Sequence, residues 1–146
     1  MLDRTQSPGY MTNWAARLFA RAIDRKLRAI GISSGQLPVF FALGNGEALS
    51  QKALTRAAAI EQPTMAATLA RMERDGLIKR RPDPADKRSA LIYLTPAALE
   101  KARDVREAIA SVNSAALAGL DPAERKAYLA TLRIVIAALD SIPDED

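Results

Sequence analysis

The chain contains no cysteine and no histidine, and these two absences remove several classes of function. Without cysteine there can be no disulfide, no thiolate metal site and no thiol-based redox sensor. Without histidine the chain lacks the commonest general base and the commonest ligand of transition metals. An enzyme would need carboxylates, lysines or a cofactor for its chemistry, and we expect neither a metal nor a cofactor here.

Other signals of catalysis or membrane insertion are also missing. There are no paired carboxylates, no glycine-rich phosphate loop and no nucleophile beside a base, so the sequence predicts that the protein is not an enzyme. No apolar run is long enough to cross a bilayer, and the first residues lack the apolar centre of a signal peptide. We therefore expect a cytoplasmic protein without a membrane partner. Its 146 residues, 49% of them hydrophobic, are enough to bury one substantial core.

The net charge of +4 is unevenly distributed along the chain. Residues 1–49 carry six basic and three acidic groups, residues 50–89 nine and five, and residues 90–146 six and nine. A polyanion would be attracted to the middle segment and repelled by the last one. An ordinary solvated surface with uneven charge explains the same numbers, so both interpretations stay open on charge alone.

Local patterns predict helices on both sides of this middle segment. Apolar residues at helical spacing indicate a long helix over residues 10–30 that ends at Gly31. Ser33 or Ser34 is predicted to cap a second helix that runs through Leu43. Near the other end, one helix is predicted over residues 96–118 with Leu99, Ala102, Val105, Ile109 and Val112 facing inward. A last helix is predicted to open with the capping box of Asp121 and Glu124.

Residues 50–95 are predicted to form two short helices followed by a two-stranded ribbon. Ser50 is a favourable N-cap for a helix that reaches about Ala58. Pro63 suits the first turn of the next helix, because its fixed φ is already helical and its missing N–H would have no partner there. A turn over residues 59–61 is predicted to join the two helices.

The second short helix is predicted to have two different sides. Met65, Leu69 and Met72 fall together and should face the core. The opposite side is assigned to Thr64, Ala67, Thr68, Arg71 and Arg74. Short side chains followed by guanidinium groups suit a DNA groove. A solvated helix surface is an equally good explanation of this helix taken alone.

The ribbon is predicted to have strands over residues 77–81 and 89–94. The connecting residues 82–86 include two prolines, which should end the first strand. The basic residues are Lys79, Arg80 and Arg81 at the base of the ribbon and Lys87 and Arg88 at its tip. Charges at a tip can bind DNA, and they can also protect exposed strand edges, which is the competing explanation.

The order of these motifs resembles the MarR family of winged helix-turn-helix transcription regulators. A helix is followed by DGLIKR, then by DPADKR and a strand that ends in LT, and Asp86 and Arg88 match the family's wing pattern of Asp, any residue, Arg. The likeness extends over nearly the whole chain. Ala98 stands where the family often has glycine, which affects only local helix geometry.

The resemblance implies a mainly α fold with a small β-ribbon, that is, a winged helix-turn-helix with long N- and C-terminal dimerisation helices. It implies a homodimer on pseudo-palindromic double-stranded DNA that commonly responds to small, often aromatic, ligands. We therefore expect residues 1–33 to form an arm and a dimerisation helix, residues 34–95 the DNA-binding region, and residues 96–146 further dimerisation helices of one intertwined domain. The first and last two helices would then form a two-fold interface that spaces the recognition helices by about 34 Å.

The resemblance also assigns individual DNA contacts. Arg88 corresponds to the arginine that enters the minor groove, and Asp86 to the carboxylate that orients it through a charge-assisted bond. Ser50 and Gln51 are candidate phosphate contacts, although plain capping explains them equally well. The predicted recognition-helix contacts are Gln62, Pro63, Thr64, Ala67, Thr68, Arg71 and Arg74. The predicted wing contacts are Lys79, Arg81, Asp86, Lys87 and Arg88.

The family further implies an effector pocket between the dimer helices and the DNA-binding region. The large side chains nearest to those segments are Met11, Trp14, Phe40 and Phe41. They are candidate contacts for a small aromatic or amphipathic effector, with plain core packing as the alternative. We interpret the chain as a DNA-binding transcription regulator of the bacterial type and as a ligand-responsive repressor. A helical protein-interaction module and a non-specific nucleoid-type DNA binder are the alternatives.

Overall fold

The computed structural model describes residues 1–145 and is mainly helical, with one small antiparallel sheet. This confirms the predicted fold class. By compactness the chain divides into two units, Met1–Ala110 and Ser111–Asp146. The elements are α1 (Pro8–Leu27), α2 (Leu37–Leu43), β1 (Ala48–Ser50), α3 (Gln51–Ala58), α4 (Gln62–Arg74), β2 (Ile78–Asp83), β3 (Asp86–Leu94), α5 (Pro96–Ala116) and α6 (Pro122–Asp140).

The predicted first helix is confirmed, and its ends follow from local chemistry. Ser7 caps α1 by accepting a hydrogen bond from the Tyr10 N–H at 3.2 Å, and Pro8 occupies the first turn. After Leu27 the chain continues as a short 3-10 turn over residues 28–30. Gly31 then stops it with a φ of 73°, a left-handed conformation that favours glycine.

The predicted second helix is present but divided. Residues 34–36 form a 3-10 turn with a capping box between Ser33 and Gln36, and α2 follows. The Asp24 carboxylate of α1 accepts hydrogen bonds from the backbone N–H and the hydroxyl of Ser34, at 2.6 and 3.0 Å. The end of α1 and the start of the second helix are therefore joined by polar contacts.

The ribbon differs from the prediction in two ways. The sheet has three strands in the order β1-β3-β2, because the unpredicted β1 pairs with β3 and places Leu49 opposite Ile92. The expectation that Pro82 ends the first strand of the ribbon is wrong, since β2 continues through Pro82 to Asp83. An edge strand tolerates proline because the missing N–H can face away from the ladder.

The core of the first unit brings together residues from α1, α2, α3, α4 and both ribbon strands. The largest side chains with less than 2% exposure are Leu27, Leu43, Leu54, Met65, Leu69, Met72, Ile78, Ile92 and Val39. One face of α4 and the base of the ribbon are therefore held by the same apolar cluster. Burial of this kind is the main favourable contribution to folding.

The two C-terminal helices differ in burial. In α5, Ala102, Val105 and Val112 are buried as predicted, whereas Leu99 is 38% exposed and its inward assignment is wrong. The capping box of α6 is confirmed, because Asp121 accepts from the Glu124 N–H at 2.9 Å and Glu124 accepts from the Asp121 N–H at 3.0 Å. No residue of α6 is buried.

Helix α6 has several large apolar side chains that are exposed: Tyr128, Leu129, Ile134, Val135, Ile136 and Leu139. Even so, none of the helices within residues 1–145 combines the length and the apolar content needed to cross a membrane.

Candidate nucleic-acid interface

Two short helices and a tight turn form the first part of the site. Ser50 caps α3, as predicted, by accepting a hydrogen bond from the Ala53 N–H at 3.1 Å. Ala59 ends α3 in the left-handed conformation with a φ of 52°, and its N–H donates to the Arg56 carbonyl. The chain then enters α4, which has Pro63 in its first turn. The predicted helix-turn-helix is therefore present.

The exposed side of α4 matches the predicted one with a single exception. Met65, Leu69 and Met72 are buried as expected. Thr68 is only 7% exposed, so its assignment to the accessible side is wrong. The reason is geometric: Thr68 lies three residues after Met65 and four before Met72, and residues at that spacing share one side of a helix. The other predicted contacts of this helix are exposed: Gln62, Pro63, Thr64, Ala67, Arg71 and Arg74.

The two arginines of this side differ in their surroundings. Arg74 lies at the end of α4, and its Nε is 3.1 Å from the Asp75 carboxylate. The hydrogen bond and the charge of Asp75 raise the pKa of Arg74. Within residues 1–145, Arg71 has no carboxylate within 4.0 Å. Its guanidinium is therefore available to an external acceptor, whereas that of Arg74 is shared with Asp75.

Two arginines at the base of the ribbon are occupied by neighbouring side chains. The Nε of Arg80 is 3.3 Å from the Glu73 carboxylate of α4. The Arg81 guanidinium lies 5.4 Å from the centre of the Tyr93 ring on β3, within the range of a cation–π contact. Arg80 therefore links the ribbon to α4. Lys79 is exposed beside them.

The tip of the ribbon is shaped by two aspartates. Asp83 accepts a hydrogen bond from the Ala85 N–H at 2.9 Å, and Asp86 accepts one from the Arg88 backbone N–H at 2.9 Å. The expected bond between Asp86 and the Arg88 guanidinium is absent, because in the described part of the chain no carboxylate lies within 4.0 Å of that group. Lys87 and Arg88 are exposed.

The two candidate phosphate contacts lie at the start of α3. Ser50 and Gln51 are half-buried. The Ser50 oxygen already accepts the Ala53 N–H, so its own hydroxyl proton remains free to donate. Capping and donation to a phosphate are thus compatible at this residue.

A cavity of about 230 Å³ lies between α2 and α5 in the first unit. Its walls include Phe40, Phe41 and Asn45 on one side and Ala102, Val105, Arg106 and Ile109 on the other. Two of the four predicted pocket residues, Phe40 and Phe41, therefore line it. Sequence reasoning missed the α5 residues, although their spacing of three and four residues places them on one side of a helix.

The other two predicted pocket residues do not line this cavity. Trp14 lies beneath the Arg4 guanidinium, which is 4.3 Å from its ring centre, and packs edge-on against Tyr10 at 6.5 Å. Met11 is exposed on the same helix. Arg4, Tyr10 and Trp14 therefore form a separate aromatic and cationic cluster in the N-terminal part of the chain.

Comparison with known proteins agrees with this geometry. The sequence model of the MarR family matches residues 30–89. The uncharacterised helix-turn-helix-type transcriptional regulator YwoH of Bacillus subtilis is 27% identical over 127 residues, which cover 87% of this chain and 92% of that protein.

Solved structures share the fold over almost the whole chain. A MarR transcriptional regulator from Methanosarcina mazei has a TM-score of 0.84 at 22% identity and covers 92% of this chain and 97% of its own. The PcaV transcriptional regulator of Streptomyces coelicolor, solved with its natural ligand, has a TM-score of 0.81 at 25% identity and covers 95% and 98%. The segment that holds the helix-turn-helix and most of the basic wing is thus similar to the MarR family of transcriptional regulators.

Proposed function

We propose that this protein is a sequence-specific repressor that binds pseudo-palindromic DNA as a homodimer and is released by a small ligand. The observation that carries the proposal is the exposed side of α4. Its N-terminal half presents short or polar side chains such as Thr64 and Ala67, and Arg71 follows them with a free guanidinium. The exposed basic tip of the wing extends from the same compact unit.

In this proposal α4 enters the major groove and the wing contacts the minor groove. Gln62 and Arg71 form paired hydrogen bonds with base edges through their amide and guanidinium groups, and Thr64 reaches a base edge through its hydroxyl. The positive tip at Lys87 and Arg88 is attracted to the strongly negative potential of a narrow minor groove. Ser50 and Gln51 donate to phosphates, which fixes the register of the protein on the duplex.

In this proposal a second copy of the chain packs against the exposed apolar side chains of α6 and α1. On α6, Ile136 and Leu139 are 62% and 60% exposed. On α1, Met11 and Leu18 are also exposed. Large apolar side chains that are grouped on one helix and left exposed are typical of interaction surfaces. Pairing of two copies through these helices presents two recognition helices to inverted half-sites about 34 Å apart.

The cavity between α2 and α5 is the proposed effector site. It combines the rings of Phe40 and Phe41 with the cationic Arg106 and the polar Asn45. Such a lining fits a small ligand with an aromatic body and one anionic or polar group. That PcaV has been solved with its natural ligand supports a ligand site in this fold. The repressor blocks RNA polymerase in the cytoplasm by occupying its operator, and the ligand ends that occupancy.

Competition binding at two salt concentrations tests the proposed function. The protein is titrated against DNA from upstream of its own gene and against random duplex DNA. We expect specific binding to exceed random binding by a factor on the order of a thousand, and both affinities to fall steeply with salt. Equal affinity for the two DNAs supports a non-specific nucleoid-type binder, and no binding to either supports a protein-interaction module.

A further inference from the structure

Thr95 lies at the junction of three functional elements. It stands between the last residue of β3 and the first residue of α5, and it is only 4% exposed. Its hydroxyl donates a hydrogen bond to the Gly76 carbonyl at 2.6 Å and accepts one from the Ala98 N–H at 3.2 Å. Its backbone N–H donates to the Leu77 carbonyl at 3.0 Å. Both functions of the hydroxyl are therefore satisfied inside the core.

The partners of Thr95 are the residues that end the recognition helix α4. Gly76 has a left-handed φ of 73°, and its N–H donates to the Glu73 carbonyl at 3.1 Å. The Leu77 N–H donates to the Met72 carbonyl at 2.8 Å. This turn closes α4 and leads into β2. One buried side chain thus connects the end of α4, the base of the wing and the first turn of α5.

We propose that Thr95 is a positioning residue for DNA recognition, because it fixes the recognition helix relative to α5. The inference rests on the proposed sequence-specific binding. Base contacts are productive only when the reading side chains are held within about 0.5 Å of their working positions. Phosphate contacts by long, mobile lysines and arginines tolerate more displacement. Loss of the Thr95 hydroxyl should therefore weaken specific binding and leave non-specific binding nearly unchanged.

A second polar contact fastens α5 elsewhere in the same unit and provides a matched control. The Lys101 Nζ donates to the Ile30 carbonyl at 2.7 Å, which ties α5 to the 3-10 turn that follows α1. Lys101 is thus a tether of α5 that does not reach the turn at Gly76. Four residues of α5 line the cavity: Ala102, Val105, Arg106 and Ile109. The helix α5 therefore takes part both in the cavity and in the connection at Thr95.

Four variants of the full chain test this role: Thr95→Val, Thr95→Ser, Thr95→Ala and Lys101→Met. Valine keeps the shape of threonine and removes the hydroxyl, serine retains the hydroxyl, and alanine is the second hydroxyl-free variant should valine prevent folding. The probes are a duplex selected by the wild-type protein from a randomised library and an unselected duplex. Binding is followed by fluorescence anisotropy, and backbone opening by amide hydrogen exchange.

For Thr95→Val we expect the ratio of selected to unselected affinity to fall about tenfold, as for one lost buried hydrogen-bonding group. Affinity for unselected DNA should stay within about twofold of wild type, because phosphate contacts are sequence-independent. Amide exchange should accelerate at Asp75, Gly76, Leu77 and Ala98 and stay unchanged in α6. Serine should restore both properties, and Lys101→Met should leave the ratio unchanged.

An unchanged ratio in both hydroxyl-free variants overturns the proposal. The proposal is also overturned if Lys101→Met lowers the affinity ratio as much as Thr95→Val does. Such a result would mean that any loosening of α5 reduces specific binding. A wild-type protein that selects no sequence contradicts the proposed function instead, and the exchange measurements then still test the connection at Thr95. Uniformly faster exchange throughout the chain indicates a loss of stability alone and also overturns the positioning role.

Discussion

The Asp86 carboxylate accepts a hydrogen bond from the backbone N–H of Arg88 at 2.9 Å and does not hold its guanidinium. The aspartate of the family's wing pattern therefore shapes the chain at the tip of the ribbon. The arginine side chain two residues later stays free in solvent. The pair thus combines a hydrogen-bonded backbone with an exposed cationic group.

This relationship predicts different results for two substitutions of Asp86. Asp86→Asn keeps an oxygen that can accept the Arg88 N–H, so DNA affinity should stay near wild type. Asp86→Ala removes the acceptor and should weaken binding by about 1 kcal/mol. Equal losses of DNA affinity in both variants would show that binding depends on the negative charge of Asp86 and not on its hydrogen bond to the backbone. Anisotropy titrations at one salt concentration measure the difference.

Removal of the Arg88 side chain should weaken binding to many sequences by a similar factor. The tip is proposed to respond to groove shape and potential more than to individual bases. Arg88→Ala should also reduce the salt dependence of binding by about one unit in the log–log slope. Arg88→Lys is the control, since it keeps the charge. Unchanged affinity in Arg88→Ala would rule out the assignment of the wing.

Substitutions in α4 should separate base reading from packing. Arg71→Ala should change the preferred sequence and cost about 1–3 kcal/mol at the contacted base pair. Thr68→Val should leave the preference unaltered, because Thr68 is buried. Sequence selection from a randomised library compares the two variants with wild type. A changed preference in Thr68→Val, with none in Arg71→Ala, would reverse the two roles.

The helix boundaries and caps could be predicted from the sequence because their causes are local. Ser50, Pro63 and Asp121 act through residues within one turn, and each occupies its predicted position. The hydrogen-bond donor to Asp86 could not be predicted, because one carboxylate can accept from either the backbone N–H or the guanidinium of the same arginine. Sequence pattern does not distinguish these two acceptor geometries.

Features that depend on distant partners were missed or wrong. The strand at Ala48–Ser50 exists because β3 pairs with it, and nothing in its three residues indicates that partner. Pro82 remains in a strand because β2 lies at the edge of the sheet, which only the complete topology shows. The lining of the cavity was also only partly predicted, because Phe40 and Arg106 lie on helices that are far apart in the sequence.

Charged residues on the exposed side of α6 should abolish dimer formation. Wild-type protein should sediment as a dimer at micromolar concentration. The double variant Ile136→Glu with Leu139→Glu should sediment as a monomer, because each change would bury an unpaired charge in the proposed interface. Arg133→Gln, on the same helix, is the control and should stay dimeric. A monomeric wild-type protein would exclude the two-fold arrangement.

The effector cavity should depend on Arg106 for binding of anionic aromatic compounds. Benzoate is a suitable probe, because its ring fits beside Phe40 and Phe41 and its carboxylate can pair with a guanidinium. It should raise the unfolding temperature of the wild-type protein and of Arg103→Leu, whose arginine pairs with Glu107. Arg106→Leu should show no such increase. An equal increase in all three proteins would place benzoate elsewhere.

The position of Trp14 gives the molecule a built-in optical reporter. It is the single tryptophan of the chain, and its ring, on the N-terminal half of α1, contacts both the Arg4 guanidinium and the Tyr10 ring. Intrinsic emission excited at the indole band therefore originates from this cluster alone. Quenching or a spectral shift will report on rearrangement of the N-terminal segment, whereas local changes at the wing tip will leave the spectrum unaltered. Fluorescence can thus separate events at α1 from events at the wing without any added dye.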